Sequence, residues 1–207
     1  GRRFDEARES YQEAIETYDE LGHRLQRGAA SHGLGVLNYR LGNYEAALQN
    51  FHDAVAIAEE MGTLKNAGMT LNGLGNLYMS LGRLDEAQKS YEKAVGFLRG
   101  LGHWRFDAIV AFNMGRLCVR RGNREDARTL FEKALGLLSG RGPDSGLYPK
   151  TLSCLALLDA EAGAFEAASS KLDQARERLQ GTDRAQEILG LLCVEGRVAF
   201  LRGDQAS

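Results

Sequence analysis

Proline, cysteine and long apolar runs are scarce in this 207-residue sequence, and each shortage excludes a class of structure. Only two prolines are present, so most of the chain can form unbroken helices. No apolar run approaches the roughly 18 residues of a membrane span, and no signal-peptide pattern opens the chain. We therefore predict a soluble, cytoplasmic protein that has no membrane partner.

The cysteine count is equally low. Cys118, Cys154 and Cys193 are odd in number, far apart and without a CxxC spacing, which argues against both a disulfide framework and a cysteine zinc site. We predict that all three are buried thiols, which is the usual environment of a free cysteine.

Strong charge of one sign and catalytic motifs are also lacking. The chain has 26 Lys and Arg against 28 Asp and Glu, a net charge of −2, and no lysine-rich run, which argues against nucleic-acid binding. The four histidines show no HExxH spacing, and no Ser, Cys and His form a nucleophile motif. The sequence therefore predicts a protein that is not an enzyme, with no catalytic residue, no metal site and no cofactor.

Glycine, in contrast, is abundant and periodic. Seven of the 25 glycines recur every 20 residues, which indicates helix ends more than interruptions within helices. The series is Gly22, Gly42, Gly62, Gly82, Gly102, Gly122 and Gly142.

One complete two-helix unit lies between Leu71 and Ala94. Its apolar and aromatic positions follow helical spacing on both sides of the turn glycine, and we expect the small residues Gly75 and Ala87 to let the two helices cross closely. Paired glycines such as Gly33 and Gly35 have no preceding strand, so helix packing explains them better than a phosphate loop. The positions that define the unit are Leu71, Leu74, Gly75, Tyr78, Gly82, Ala87, Tyr91 and Ala94.

The same positions recur with a period of 40 residues. We predict about ten helices in one domain covering 1–207: an unpaired helix at 1–21, hairpins at 24–61, 64–101, 103–141 and 147–180, and an unpaired helix at 184–202 that Gly203 ends. The loop containing Pro143 and Pro149 shifts the register by one residue, and the next helix is predicted to begin near Pro149.

Neither end of the array has a polar capping element. This favours a fragment of a longer repeat array or multidomain protein. The alternative is that a second copy of the same chain covers the two ends. We expect Leu191, Leu192 and Val198 to be exposed and to promote homo-oligomers through the terminal helices.

Together these positions resemble the tetratricopeptide repeat (TPR) family. The 40-residue period is longer than the common repeat and is similar to that of Pins-type polarity adaptors, kinesin light chains and bacterial signalling regulators. The resemblance implies an all-α, right-handed superhelical solenoid of antiparallel helix hairpins that acts as a protein–protein interaction scaffold.

The resemblance also implies a concave groove, lined by the first helix of each hairpin, that binds a peptide or protein segment. Amides there can pair with a peptide main chain, and arginines with carboxylates, so we expect an acidic or carboxylate-bearing partner. We also expect the groove residues Asn76, Arg116 and Arg120 to be dispensable for folding. The candidate groove residues are His32, Val36, Tyr39, Arg40, Met69, Asn72, Asn76, Met79, Phe112, Arg116, Val119, Arg120, Arg197 and Phe200.

Two other functions stay open at this point. The chain could be the regulatory or sensor repeat region of a larger bacterial signalling protein, because long-form arrays often adjoin an output domain. It could also be an RNA-binding helical repeat, although a sequence isoelectric point near 6.1 argues against that.

Overall fold

The computed structural model describes residues 2–99, 101–139, 146–180 and 183–205. Within these ranges the chain is all-α, as predicted, and forms ten helices. In chain order they are α1 Arg2–Glu20, α2 Arg24–Leu41, α3 Tyr44–Glu60, α4 Leu64–Ser80, α5 Leu84–Leu98, α6 Trp104–Arg120, α7 Arg124–Leu138, α8 Leu147–Glu161, α9 Phe165–Leu179 and α10 Ala185–Gln205.

The helices belong to two compact units, Gly1–Phe106 and Asp107–Ser207, which divide within α6. In the first unit, α2 pairs with α3 and α4 with α5, while α1 packs on α2 and α3 packs on α4. In the second unit, α8 pairs with α9, α7 packs on α8, and α10 lies against both α8 and α9. Each unit is thus a stack of helix hairpins joined by short turns.

Glycines end the helices where the 20-residue period predicts. Gly22, Gly42, Gly62, Gly82, Gly102 and Gly122 all have φ between 67° and 82°, the left-handed conformation that favours glycine. At the end of α2, the N–H groups of Gly42 and Asn43 donate to the carbonyls of Tyr39 and Asn38, which satisfies the last turn. Gly142 lies outside the described residues.

The helix end predicted at Gly203 is wrong. Helix α10 continues through Gly203 to Gln205. A glycine permits a left-handed helix end but does not impose one, so its position alone does not determine where a helix stops.

The first turns of the second helices carry acidic residues. Such side chains favour a helix N-terminus because they face its partial positive charge. The residues are Glu45 in α3, Asp85 and Glu86 in α5, Glu125 and Asp126 in α7, and Glu166 in α9.

The core is built around one aromatic ring in each of the first three hairpins. Phe51, Tyr91 and Phe131 are fully buried, and each lies against a glycine of the first helix of its own hairpin. A Cβ atom added to that glycine would lie closer to the ring than real Cβ contacts allow. The distances are 2.8 Å from Gly35 to Phe51, 2.5 Å from Gly75 to Tyr91, and 2.7 Å from Gly115 to Phe131.

This contact refines the predicted crossing of α4 and α5. Ala87 is fully buried, but the ring of Tyr91 is the closest neighbour of Gly75. In the fourth hairpin the same positions hold Ala156 and Leu172, which lie in one buried cluster. A larger residue on the first helix therefore accompanies a smaller one on the second, which keeps the packed volume similar.

The fourth hairpin also contains a buried carboxylate. Asp159 of α8 pairs with Arg128 Nη1 of α7 at 2.7 Å and with Lys171 Nζ of α9 at 2.5 Å. Its side chain is almost completely buried, so both cations are needed to offset its desolvation. Asp159 thereby connects three consecutive helices.

The predicted exposure of α10 is only partly correct. Leu191 and Val198 are buried in a cluster with α8 and α9, whereas Leu192 is 54% exposed. The two buried residues are seven positions apart and so lie on the same face of the helix, the face that packs on the preceding hairpin.

The prediction of three buried thiols is wrong for Cys193, which is exposed. Cys118 and Cys154 are partly buried. Burial raises the pKa of Cys154 to about 11 and also raises that of Cys118, so both thiols are protonated at neutral pH.

The contact between Gly75 and Tyr91 can be tested by adding a methyl group. Alanine normally stabilises a helix interior relative to glycine by roughly 0.5–1 kcal/mol. We expect Gly75→Ala to destabilise the protein by about 1–3 kcal/mol instead, because the new Cβ would overlap a buried ring. Urea unfolding measures the difference.

The matched control is Gly96→Ala, since Gly96 is exposed in α5 and has no neighbour within 4 Å of an added Cβ. This control should be neutral or stabilising. The double variant Gly75→Ala with Tyr91→Leu should lose less free energy of unfolding than the two single variants lose together. The reason is that the fourth hairpin packs an alanine against a leucine at the same positions. Equal effects of Gly75→Ala and Gly96→Ala would contradict this account of the core.

Candidate functional site

Seven of the predicted groove residues line one cavity of the first unit, with a volume of about 290 Å³. Here we name it the groove cavity. Its walls come from one stripe of α2 and one stripe of α4, with Phe51, Gly73 and Phe106 completing the lining. The seven residues are His32, Val36, Tyr39, Arg40, Met69, Asn72 and Asn76.

His32 is held in one tautomer. Its Nδ1 lies 2.9 Å from Thr70 Oγ1, and the Thr70 hydroxyl donates its single proton to the carbonyl of Asn66. With the Thr70 proton donated to the Asn66 carbonyl, His32 Nδ1 is the donor to Thr70 and Nε2 is left as a hydrogen-bond acceptor. The ring also packs against Phe51, with ring centroids 5.8 Å apart, and burial lowers the pKa of His32 below its ordinary 6.5.

Asn76 is oriented by the core. Its Oδ1 accepts a hydrogen bond of 2.8 Å from the hydroxyl of Tyr91, whose ring is fully buried. Because this bond fixes the orientation of the amide, Nδ2 is held as a hydrogen-bond donor that Asn76 can offer to a ligand. This bond argues against the expectation that Asn76 is dispensable for folding, which stays a prediction.

Tyr39 and Arg40 lie near the end of α2. The Tyr39 hydroxyl lies 2.8 Å from Ser80 Oγ, within hydrogen-bond distance, and Ser80 Oγ also lies near the carbonyl of Asn76. Arg40 is exposed in the last turn of α2 and is the cation among the residues that line the groove cavity.

Several other arginines of the first helices are paired locally. Arg24 Nη2 lies 2.5 Å from Glu60 Oε2, and Arg27 pairs with both Asp19 and Asp53 at 3.1 Å. These carboxylates come from α1 and α3, so they neutralise part of the positive charge of α2.

Two predicted groove residues, Met79 and Phe112, are buried. Met79 is 4% exposed and occupies the repeat position of Tyr39, whose hydroxyl lies beside Ser80 of the following hairpin. Phe112 is 9% exposed and occupies the position of His32. Its ring packs on Phe131, with ring centroids 5.7 Å apart. Unlike the imidazole of His32, a phenyl ring forms no hydrogen bond that would favour a position at the surface.

The remaining predicted residues lie in the second unit. Arg116, Val119 and Arg120 are exposed on α6, and the Arg116 guanidinium is 6.0 Å from the centroid of the Phe112 ring. Arg197 on α10 is exposed and pairs with Glu161 at 3.5 Å, while Phe200 is 66% exposed. Their role in a groove stays a prediction.

A second cavity of the first unit was not predicted from the sequence. It has a volume of about 160 Å³ and lies between α2, α3 and the first half of α4. We name it the aliphatic pocket. His32 and Met69 line both this pocket and the groove cavity. The other lining residues are Leu25, Gly28, Ala29, Ala54, Ile57 and Ala58, with Thr63, Asn66 and Thr70 as polar members.

A signal for this pocket was present in the sequence. The run Gly28-Ala29-Ala30 brings small side chains to the start of α2, opposite Ala54 and Ala58 of α3. Small residues on facing helices leave space that larger residues would fill.

Two properties of the described part of the chain bear on the kind of site. Within residues 2–99, 101–139, 146–180 and 183–205, no group of three or more His, Cys, Asp or Glu is placed to hold a metal ion. None of the helices in these ranges is both long and apolar enough to cross a membrane.

Family comparison agrees with the hairpin architecture. The family model for the tetratricopeptide repeat matches residues 2–60 and 66–140, and the chain therefore belongs to the tetratricopeptide repeat family. No curated protein sequence matches the chain. The TPR fold generally mediates protein–protein interaction, and its members are typically scaffolds without enzymatic activity.

Solved structures with the same fold include BtubC (BKLC) from P. vanneervenii, with a TM-score of 0.76, 22% identity, and coverage of 87% of this chain and 76% of that one. A putative kinesin light chain of Podospora anserina with TPR-like repeats has a TM-score of 0.68 and 18% identity, covering 87% and 89%. Pseudomonas aeruginosa PilF has a TM-score of 0.61 and 19% identity, covering 98% and 88%. At these identities the likeness shows the fold alone, and it confirms the predicted fold class.

The tautomer and burial of His32 predict a pH effect on stability. The pKa of His32 is lower in the folded than in the unfolded chain, so the unfolded chain binds the proton first as the pH falls. The free energy of unfolding should therefore decrease below about pH 6.5, and His32→Asn should remove this component. Urea unfolding of both proteins at several pH values measures it, and identical pH profiles would contradict the prediction. Imidazole ¹⁵N spectra at neutral pH should show the Nδ1–H form.

The bond between Asn76 and Tyr91 predicts a folding defect. Asn76→Ala should lower the free energy of unfolding by about 1–3 kcal/mol, because it leaves the hydroxyl of a buried tyrosine without its acceptor. Adding Tyr91→Phe to Asn76→Ala should restore part of the loss, since the hydroxyl that has lost this acceptor is removed. If the second change adds further destabilisation instead, the bond does not carry the effect.

Proposed function

We propose that the groove cavity binds an extended segment of a protein or peptide partner, and that the chain is a protein–protein interaction scaffold without enzymatic activity. The observation that carries the proposal is that seven side chains from two consecutive hairpins line a single cavity of about 290 Å³. Family membership supports the general function, since TPR proteins bind protein partners.

The polar groups of the groove cavity suit a peptide main chain. His32 offers the acceptor Nε2 and Asn76 offers the donor Nδ2, and a peptide bond presents both a donor and an acceptor. Because each group is held by a partner in the core, little ordering entropy is lost when it binds. Val36 and Met69 add apolar surface between them.

Arg40 supports the acidic character that we propose for the partner. It lies in the last turn of α2, exposed at the groove cavity, where a guanidinium can engage a carboxylate with two parallel hydrogen bonds. Arg116 and Arg120 of the second unit are exposed, and a guanidinium on either residue can engage a carboxylate in the same way. The partner segment we propose is therefore one with an acidic side chain or a free C-terminal carboxylate.

A charge reversal at Arg40 tests this function without touching the core. On an array of acidic peptides, the parent protein should bind a subset, and Arg40→Glu should weaken that binding by about tenfold or more, because like charges then face each other. Fluorescence anisotropy with the captured peptides gives the dissociation constants.

Arg99→Glu is the matched control, since Arg99 is also exposed but does not line the groove cavity. It makes the same change in net charge, and binding should be almost unchanged. Equal losses for Arg40→Glu and Arg99→Glu would indicate attraction by net charge alone, and this would overturn the proposed site.

A further inference from the structure

We propose that the aliphatic pocket receives one apolar side chain of the segment that lies in the groove cavity. This inference rests on the proposed function and specifies what the partner must contain in addition to acidic groups. The partner would thus combine a carboxylate near Arg40 with an apolar side chain near His32.

The lining of the pocket determines the class of side chain. Aliphatic and small residues of α2 and α3 form most of its wall, and none of the residues that line it carries a carboxylate, an ammonium or a guanidinium group. The Thr70 hydroxyl is already engaged, accepting from His32 and donating to Asn66. A charged side chain would lose its hydration there without gaining a partner, whereas an apolar side chain gains from leaving water.

The size of the pocket limits the occupant. Its volume is about 160 Å³, and an apolar cavity of about 150 Å³ is enough to hold a benzene molecule. The pocket therefore fits a side chain such as that of leucine, isoleucine, methionine or phenylalanine. Gly28 and Ile57 both line the pocket and pack closely on each other, since a Cβ added at Gly28 would lie 2.9 Å from Ile57.

The position of the pocket connects it to the groove. His32 and Met69 line both cavities, so they form the boundary that a side chain must pass. We infer that a peptide whose main chain meets the His32 ring in the groove cavity directs a single side chain across this shared wall into the pocket. The polar contact and the apolar contact would then involve neighbouring parts of the same residue of the partner.

Ala29 makes the pocket testable without disturbing the fold. It lines the pocket but is exposed, so a larger side chain at this position can occupy the space without displacing the core. Ala56 of α3 is also exposed and lines neither cavity. Ala29→Leu and Ala56→Leu therefore make the same chemical change inside and outside the pocket.

The experiment uses fluorescein-labelled acidic peptides in which one position at a time is Gly, Ala, Leu, Met, Phe, Trp or Lys. For the parent and for Ala56→Leu, we expect one position to prefer Leu, Met or Phe over Gly by about tenfold or more. Ala29→Leu should abolish that preference and bring all peptides to the affinity of the Gly peptide. Methyl NMR should show the Ile57 and Met69 signals shifting with the Leu peptide and much less with the Gly peptide.

The outcomes separate the two proposals. If acidic peptides bind in an Arg40-dependent manner but no position prefers an apolar residue, or if Ala29→Leu leaves the preference intact, the pocket is not a binding site while the groove stands. A preference for Lys at the responding position would also overturn the inference. If Arg40→Glu has no specific effect on any peptide, the proposed function fails, and the inference fails with it.

Discussion

The packing of one aromatic ring between glycines of two successive hairpins is the contact on which the first unit depends. Phe51 of α3 lies against Gly35 of its own hairpin and also against Gly73 of the next, where an added Cβ would be 3.2 Å from the ring. Tyr11 of α1 is 38% exposed but also lies against a glycine, Gly33, where an added Cβ would be 2.6 Å from the ring. A ring can fill this space only because neither glycine has a side chain, so the helices approach closely without leaving a void.

The same rings orient the candidate site. The Phe51 ring supports His32, and the Tyr91 hydroxyl holds the Asn76 amide, so two groove residues take their geometry from the core beneath them. Core and groove are therefore not independent layers in this protein. A change that shifts a ring would also change the direction in which a groove residue presents its donor or acceptor, which is how supporting residues usually affect a binding site.

Much of the fold could be predicted from the sequence because it depends on local spacing. The all-α class, the helix ends at Gly22 to Gly122 and the buried positions such as Ala87 and Tyr91 follow from periods of 20 and 40 residues. The burial of Met79 and Phe112 could not be predicted, because it depends on which element packs beside each position. The acceptor of Tyr91 and the space behind His32 involve residues of different helices, and spacing along one helix does not reveal either. That a ligand occupies the groove stays a proposal.

The shared ring also has a consequence for how the first unit unfolds. Because Phe51 contacts glycines of two hairpins, neither hairpin can detach without exposing a surface that the other was covering. In repeat proteins the total stability is approximately the sum of the stability of each repeat and the interaction between neighbours, and a ring held by both repeats contributes to the neighbour interaction. A large neighbour interaction makes partly unfolded species rare. The hairpins that form the groove cavity should therefore open and close as one cooperative block, and the amides of α2 and α4 should exchange with solvent hydrogen at similar rates.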